Sequence, residues 1–152
     1  MTSSALTIQV RRLPHGEGLE LPQAATVGSA GVDLRAAIAE PIDIAPGERR
    51  LVGTGIVIEL PAGFEGQVRP RSGLALEHGL TVLNAPGTID CDYRGEVKVL
   101  LINLGGEPVS VVRGQRIAQL VVAACSPIEL REAQALTESS RGSGGFGSSG
   151  AD

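Results

Sequence analysis

The stretch from Gly79 to Ile102, GLTVLNAPGTIDCDYRGEVKVLLI, gathers an amide (Asn84), a carboxylate (Asp90) and a phenol (Tyr93) around a Pro86-Gly87 bend. Asn84 and Tyr93 can face each other across the mouth of a hairpin and enclose a flat ligand, with Asp90 at that ligand's edge. The plain alternative is a polar loop with a solvated acidic tip. After Pro70, the run Arg71-Ser72-Gly73 offers a guanidinium, a hydroxyl and backbone donors where a short helix begins, with Ser72 as N-cap. Such a set suits an anionic oxygen, and an ordinary cap beside a surface arginine is the competing reading. Asp33 lies between apolar neighbours in Gly31-Val32-Asp33-Leu34. A buried lone carboxylate is costly, so it calls for a backbone donor or a hydrated cation. Gln119, polar within Ile117-Ala118-Gln119-Leu120-Val121, is either an outward strand residue or a site donor.

The elements that must position these groups read as strands. Leu80, Val82, Val97, Val99 and Leu101 are apolar at alternating positions, as half-buried strands require. The same alternation marks Leu6/Ile8/Val10, Ile42/Ile44 and Ile56/Ile58, with Leu51-Val52 between turns. Pro46-Gly47, Pro61, Pro70 and Arg113-Gly114 punctuate the runs, and Pro108–Val112 and Ile117–Ala123 supply two more strands. Many short strands at close spacing predict an all-β sandwich or barrel with one short helix between Ser72 and Gly79. Glu132 to Glu138 has the composition for one or two helical turns. Beyond it RGSGGFGSSG is too rich in Gly and Ser to fold alone, which predicts a flexible arm. That arm carries one cation, Arg141, and one ring, Phe146, so it is either a linker or a strap that closes over a phosphorylated planar ligand.

Composition narrows the classes. A chain of 152 residues fits one domain with a real core, and 2% aromatics means that core is Val, Leu, Ile and Ala. A net charge of -4 supplies no basic footprint for nucleic acid. No apolar run approaches the roughly 20 residues of a membrane span, and no secretory signal opens the sequence. Two cysteines and two histidines leave no metal-finger spacing, so a reduced, cytoplasmic protein is expected. Cys91, between Asp90 and Asp92, reads as a spacer. Gly142, Gly144 and Gly147 satisfy G-x-G-x-x-G, but no strand precedes them and no helix can follow, so the match is empty.

Taken together, AGVDLRA (30–36), PRSGLA (70–75), GTIDCDYRGEVKV (87–99), RGQRIAQL (113–120) and RGSGGFGSSG (141–150) resemble, in order, the five motifs of the trimeric dUTPase family. The resemblance implies a β jelly roll over 1–130, a C-terminal arm over 131–152, and a homotrimer with sites at subunit junctions. It implies hydrolysis of dUTP to dUMP and pyrophosphate with Mg²⁺, Asp90 being the carboxylate that deprotonates the water attacking the α-phosphorus. Tyr93 matches the ring under the deoxyribose, Asn84 the amide at the uracil edge and the backbone around Lys98 the rest of the base pocket, with Thr88 and Ile89 as further substrate contacts. Arg71, Ser72, Gly73 and Gln119 match phosphate contacts. Arg141 and Ser148 match γ-phosphate contacts in the arm, Phe146 the ring that stacks on uracil, and Gly147 a further substrate contact. Asp33 matches the carboxylate that holds a water of the Mg²⁺ shell. A dCTP deaminase relative and a non-catalytic nucleotide-sensing trimer share the fold and stand as alternatives.

Overall fold

The computed structural model describes residues 6–145. Eleven strands follow in order: β1 (Gln9–Arg12), β2 (Gly31–Arg35), β3 (Ile42–Ile44), β4 (Arg49–Gly53), β5 (Ile56–Glu59), β6 (Phe64–Arg69), β7 (Leu80–Val82), β8 (Gly87–Ile89), β9 (Lys98–Asn103), β10 (Val109–Val111) and β11 (Arg116–Ala124). Among the described residues a single α-helix, α1 (Ser72–His78), sits between β6 and β7. All pairings are antiparallel, in four small sheets ordered β1-β5, β10-β3, β2-β11-β6-β8 and β4-β9-β7. This is the jelly-roll-like all-β arrangement that the punctuated apolar alternation predicts. No helix among the described residues is long and apolar enough to cross a membrane.

The alternating residues enter the core as the pleat dictates. Leu80, Val82, Val97, Val99 and Leu101 are all buried, and the core they join is made of Leu, Ile, Val and Ala without an aromatic ring. Asn103 continues the same inward register and is fully buried, its amide donating to the carbonyls of Ile44 (2.9 Å) and Glu107 (2.8 Å) while its oxygen accepts from the Gly105 N–H (2.8 Å). It thus ties β3, β9 and the following turn together.

Three expectations are corrected. Ser72 is not a cap: Arg71 holds the N-cap position without a side-chain bond, and Ser72 is the first helical residue. The 132–138 segment forms no helix, because its one large apolar side chain, Leu136, is left exposed and anchors nothing. The segment from Gly79 to Ile102 is more than a hairpin. β7 and β9 do pair, Val82 opposite Leu101, but the connection between them contains β8, which crosses to β6 in the other sheet. Glycine ends α1 as expected, Gly79 adopting φ 67°.

Candidate active site

β8 is the last strand of the four-stranded sheet, and β9 is the centre of the three-stranded one. Where they part, a cavity of about 300 Å³ opens, lined by Asn84, Thr88, Ile89, Asp90, Tyr93, Glu96 and Lys98 with apolar walls from Leu51, Val68 and Val97. The strand switch is what makes the space, since a plain β7–β9 hairpin would close it. Asn84 and Tyr93 therefore do line one pocket, and Asp90 joins them.

Local backbone explains the aim of each group. Tyr93 returns toward Asp90 in a tight turn, its N–H donating to the Asp90 carbonyl at 3.1 Å. Its hydroxyl donates to the Glu96 carbonyl at 3.0 Å. Gly95 makes that fold-back feasible, because a Cβ there would collide with the phenol. Asp90 is exposed, and among the described residues its carboxylate accepts no hydrogen bond and pairs with no cation. Glu96 is the opposite case. Oε1 accepts from His15 Nε2 at 2.6 Å and from the Gly55 N–H at 2.9 Å, and Lys98 Nζ lies 3.9 Å from Oε2. Burial alone would raise its pKa, but the His15 and Gly55 hydrogen bonds, with the charges of His15 and Lys98, outweigh it and hold the carboxyl below the ordinary glutamate value.

A second cluster gathers on β2, β11 and the end of β6. Asp33 stands opposite Gln119, and Gln119 opposite Arg69. A bulge in β11 between Arg116 and Ala118 adds one residue to that strand. The extra residue brings Arg116 onto the face that carries Asp33 and Gln119, which strict alternation would forbid. Asp33 is then clasped by two guanidiniums, from Arg71 Nε at 3.0 Å and Arg116 at 3.1 Å. The expectation of a buried carboxylate needing a backbone donor or hydrated cation is thereby corrected: it is part-exposed, on the outer face of its strand, and its partners are arginines. Gln119 is no free outward residue either, since its amide donates to the Pro70 carbonyl at 3.0 Å and anchors the Arg71-Ser72-Gly73 turn. Arg116 and Glu96 are the two residues that sequence reasoning left unassigned. For Arg116 the signal was a basic residue three before Gln119; for Glu96 there was none.

Among the described residues, then, one chain brings Asn84, Thr88, Ile89, Asp90, Tyr93 and Lys98 to one cavity and Asp33, Arg71, Arg116 and Gln119 to another place. No hydrogen bond or ion pair joins the two sets. Ser72 and Gly73 are exposed at the head of α1. Arg141 is exposed and folds onto its own turn, donating to the Gly144 carbonyl at 2.9 Å. Phe146, Gly147 and Ser148 lie outside the described residues.

The dUTPase family model matches residues 17–150, a span that takes in both clusters and the arm. The chain belongs to the dUTPase family. Among curated relatives, the deoxyuridine 5'-triphosphate nucleotidohydrolase of Rhizobium meliloti is 62% identical over 141 residues, covering 91% of this chain and 88% of that protein. Its counterpart in Methylocella silvestris is 58% identical over 151 residues, covering 98% and 94%. A Staphylococcus bacteriophage 80alpha dUTPase variant, solved with dUpNHpp, superimposes with a TM-score of 0.82 at 26% identity, over 95% of this chain and 98% of that one. The phage phi11 dUTPase of S. aureus, described with a structural Mg(II) ion, shares the fold at a TM-score of 0.78 and 22% identity.

Mg²⁺ can be tested against the donor set of a dUTPase chain. Among the described residues no three His, Cys, Asp or Glu side chains are grouped to hold an ion. Asp33 accepts one guanidinium on each oxygen, which leaves a lone pair on each for the water of a hydrated ion. The residues thus fit an ion that arrives on substrate phosphates and keeps its waters, and do not fit one caged by protein.

Proposed function

We propose that this chain is a dUTP diphosphatase, hydrolysing dUTP to dUMP and pyrophosphate. The observation that carries the reading is the uncommitted Asp90 carboxylate on the rim of the Asn84–Tyr93 cavity, in a chain of the dUTPase family. Uracil enters the cavity with its polar edge toward Asn84 and the Thr88–Ile89 and Lys98 backbone, and the deoxyribose lies over Tyr93. Asp90 takes a proton from a water whose oxygen bonds the α-phosphorus. The bond from that phosphorus to the bridging oxygen breaks, and the electron pair leaves on pyrophosphate. Arg71, Ser72, Gly73 and Gln119 hold phosphate oxygens, and Arg141, Phe146, Gly147 and Ser148 close the arm over base and γ-phosphate. Asp33 would hold a water of a Mg²⁺ ion arriving with the phosphates. When bound, the ion offsets phosphate charge that would repel the attacking oxygen.

The separation of Asp90 from the Arg71 cluster within one chain supports a homotrimer whose sites each draw on more than one subunit. Leu51, Leu83, Leu104 and Val112, large apolar residues left exposed on a single chain, support it further. Two free cysteines accord with a cytoplasmic setting. Pyrophosphate release, measured with dUTP, dCTP, dTTP and UTP, tests the function: dUTP alone should turn over rapidly. Deamination of dCTP would favour a deaminase, and tight dUTP binding without turnover a sensor.

A further inference from the structure

Three segments far apart in sequence meet at the Glu96 side chain. The turn Pro14–Gly16 brings His15, the β4–β5 connection brings Gly55, and the loop entering β9 brings Glu96 itself. The approach is backbone to backbone: a Cβ on Gly16 would collide with the Gly55 carbonyl, and one on Gly53 with the Glu96 carboxylate. The Leu13 N–H donates to the Gly55 carbonyl at 2.8 Å, and Arg113 clamps the turn from the other side by donating to the carbonyls of His15 (2.9 Å) and Glu17 (2.8 Å). The next residue, Val97, is sewn into β5 by its N–H to the Ile56 carbonyl at 2.9 Å. Glu96 is thus fixed at its side chain by two donors and at its C-terminal peptide by a strand. The atom left over is its carbonyl oxygen, and that is the acceptor of the Tyr93 hydroxyl.

We propose that Glu96 is a positioning residue for sugar discrimination: clasped by His15 and the Gly55 N–H, it fixes the carbonyl that holds the Tyr93 phenol at the cavity. The inference rests on the reading that Tyr93 faces the deoxyribose. A ring that excludes a ribose hydroxyl by contact must not swing, and Tyr93, 44% exposed, has little packing to restrain it. Its hydroxyl bond is the restraint. A neutral hydrogen bond biases two ring postures by roughly 2- to 10-fold, so that is the scale of selectivity Glu96 governs. The bond is only as well placed as the carbonyl, which the carboxylate clasp secures on one side and the Val97 bond to β5 on the other.

The test compares kcat/KM for dUTP and UTP in Glu96→Ala, Glu96→Gln, His15→Ala, Tyr93→Phe, Tyr93→Ala and the Glu96→Ala/Tyr93→Phe double variant. The ratio of the two substrates is independent of the fraction of folded enzyme, so loss of stability does not move it. Glu96→Ala and Tyr93→Phe should each lower the dUTP/UTP ratio about 2- to 10-fold, and the double variant no further than the larger single effect, because both remove one interaction. His15→Ala should lower the ratio in the same direction, and it carries the test if Glu96→Ala does not fold. Glu96→Gln, whose amide oxygen can still accept from Gly55, should keep it near wild type. The chain has one tyrosine and no tryptophan, so intrinsic fluorescence reports Tyr93 alone. Its anisotropy should fall in Glu96→Ala and His15→Ala and hold in Glu96→Gln. If Tyr93→Ala lowers the ratio while Glu96→Ala, His15→Ala and Tyr93→Phe leave the ratio unchanged, and Glu96→Ala and His15→Ala leave the anisotropy unchanged, the positioning role is overturned and the tyrosine reading stands. An unchanged ratio in Tyr93→Ala overturns that reading, and the Glu96 inference with it.

Discussion

Asp90 follows the end of β8 and Asp33 lies mid-way along β2, and their surroundings are opposite. Two guanidiniums take the oxygens of Asp33, while among the described residues nothing engages those of Asp90. On the proposed function, Asp90 is the general base because its carboxylate is uncommitted, whereas the Asp33 oxygens are held by arginines and serve a different task. Asp90→Asn preserves shape and removes the base. Hydrolysis should fall by at least ~10²-fold, the usual scale for a general base, with binding of a non-hydrolysable dUTP analogue little changed by calorimetry; near-wild-type turnover would remove Asp90 from the mechanism. The sequence carried the identities of these residues through their motifs, but not the partners of Asp33. Those partners come from a turn and from a bulged strand. A bulge leaves no mark in an apolar alternation that is read one strand at a time.

Elements were legible where one face is apolar. The alternation running into β9 predicted the burial of Val97, Val99 and Leu101, and the structure agrees. What the pattern concealed was β8, three residues whose outward Thr88 and bend-forming Gly87 look like loop chemistry. Their strand character comes from pairing with β6 and is not local. Asn103 was concealed for a related reason: a polar residue at an inward position looks like the end of a strand, whereas here it bonds three backbone groups at its own end of β9. Asn103→Leu keeps the volume and leaves two carbonyls and an N–H unmatched. Only the bond to Ile44 is fully buried, so at about 1 to 3 kcal/mol for a buried unsatisfied group stability should drop by about that much, read as a lower urea midpoint at unchanged slope. A drop under ~1 kcal/mol would mean that water replaces the amide there. The arm gives the reverse expectation. From 131 to 145 its bonds are local, Arg131 with Glu129 and Gly142 and Arg141 within one turn. Deleting 139–152 should therefore leave the melting temperature nearly unchanged and cut kcat for dUTP sharply, a deletion with normal turnover showing the arm to be a linker.

At the scale of the whole molecule, the question is how a cavity holding Asp90 and a cluster holding Arg71 serve one substrate. Hydrolysis needs the base and the phosphate clamp on the same nucleotide, and a single chain keeps them in separate places. The proposed homotrimer would resolve this, because a heterologous contact repeated three times closes a ring and would set one chain's cavity against its neighbour's cluster at every junction. Light scattering should then give about three times the 15.6 kDa subunit. Mass alone does not show that sites are shared, but mixing does. Asp90→Asn and Arg71→Ala should each be nearly inactive as pure trimers. When they are unfolded together and refolded at equal amounts, some junctions pair the intact Asp90 of one variant with the intact Arg71 of the other. If assembly is random, roughly a quarter of the junctions are whole, and activity should recover to about that fraction of wild type. The recovered rate should also vanish when the two variants are refolded apart and mixed only afterwards, provided subunits do not exchange. Mixed trimers with no more activity than their parents would mean that base and clamp act within one chain, and the arrangement of the site would have to be drawn again around a single subunit.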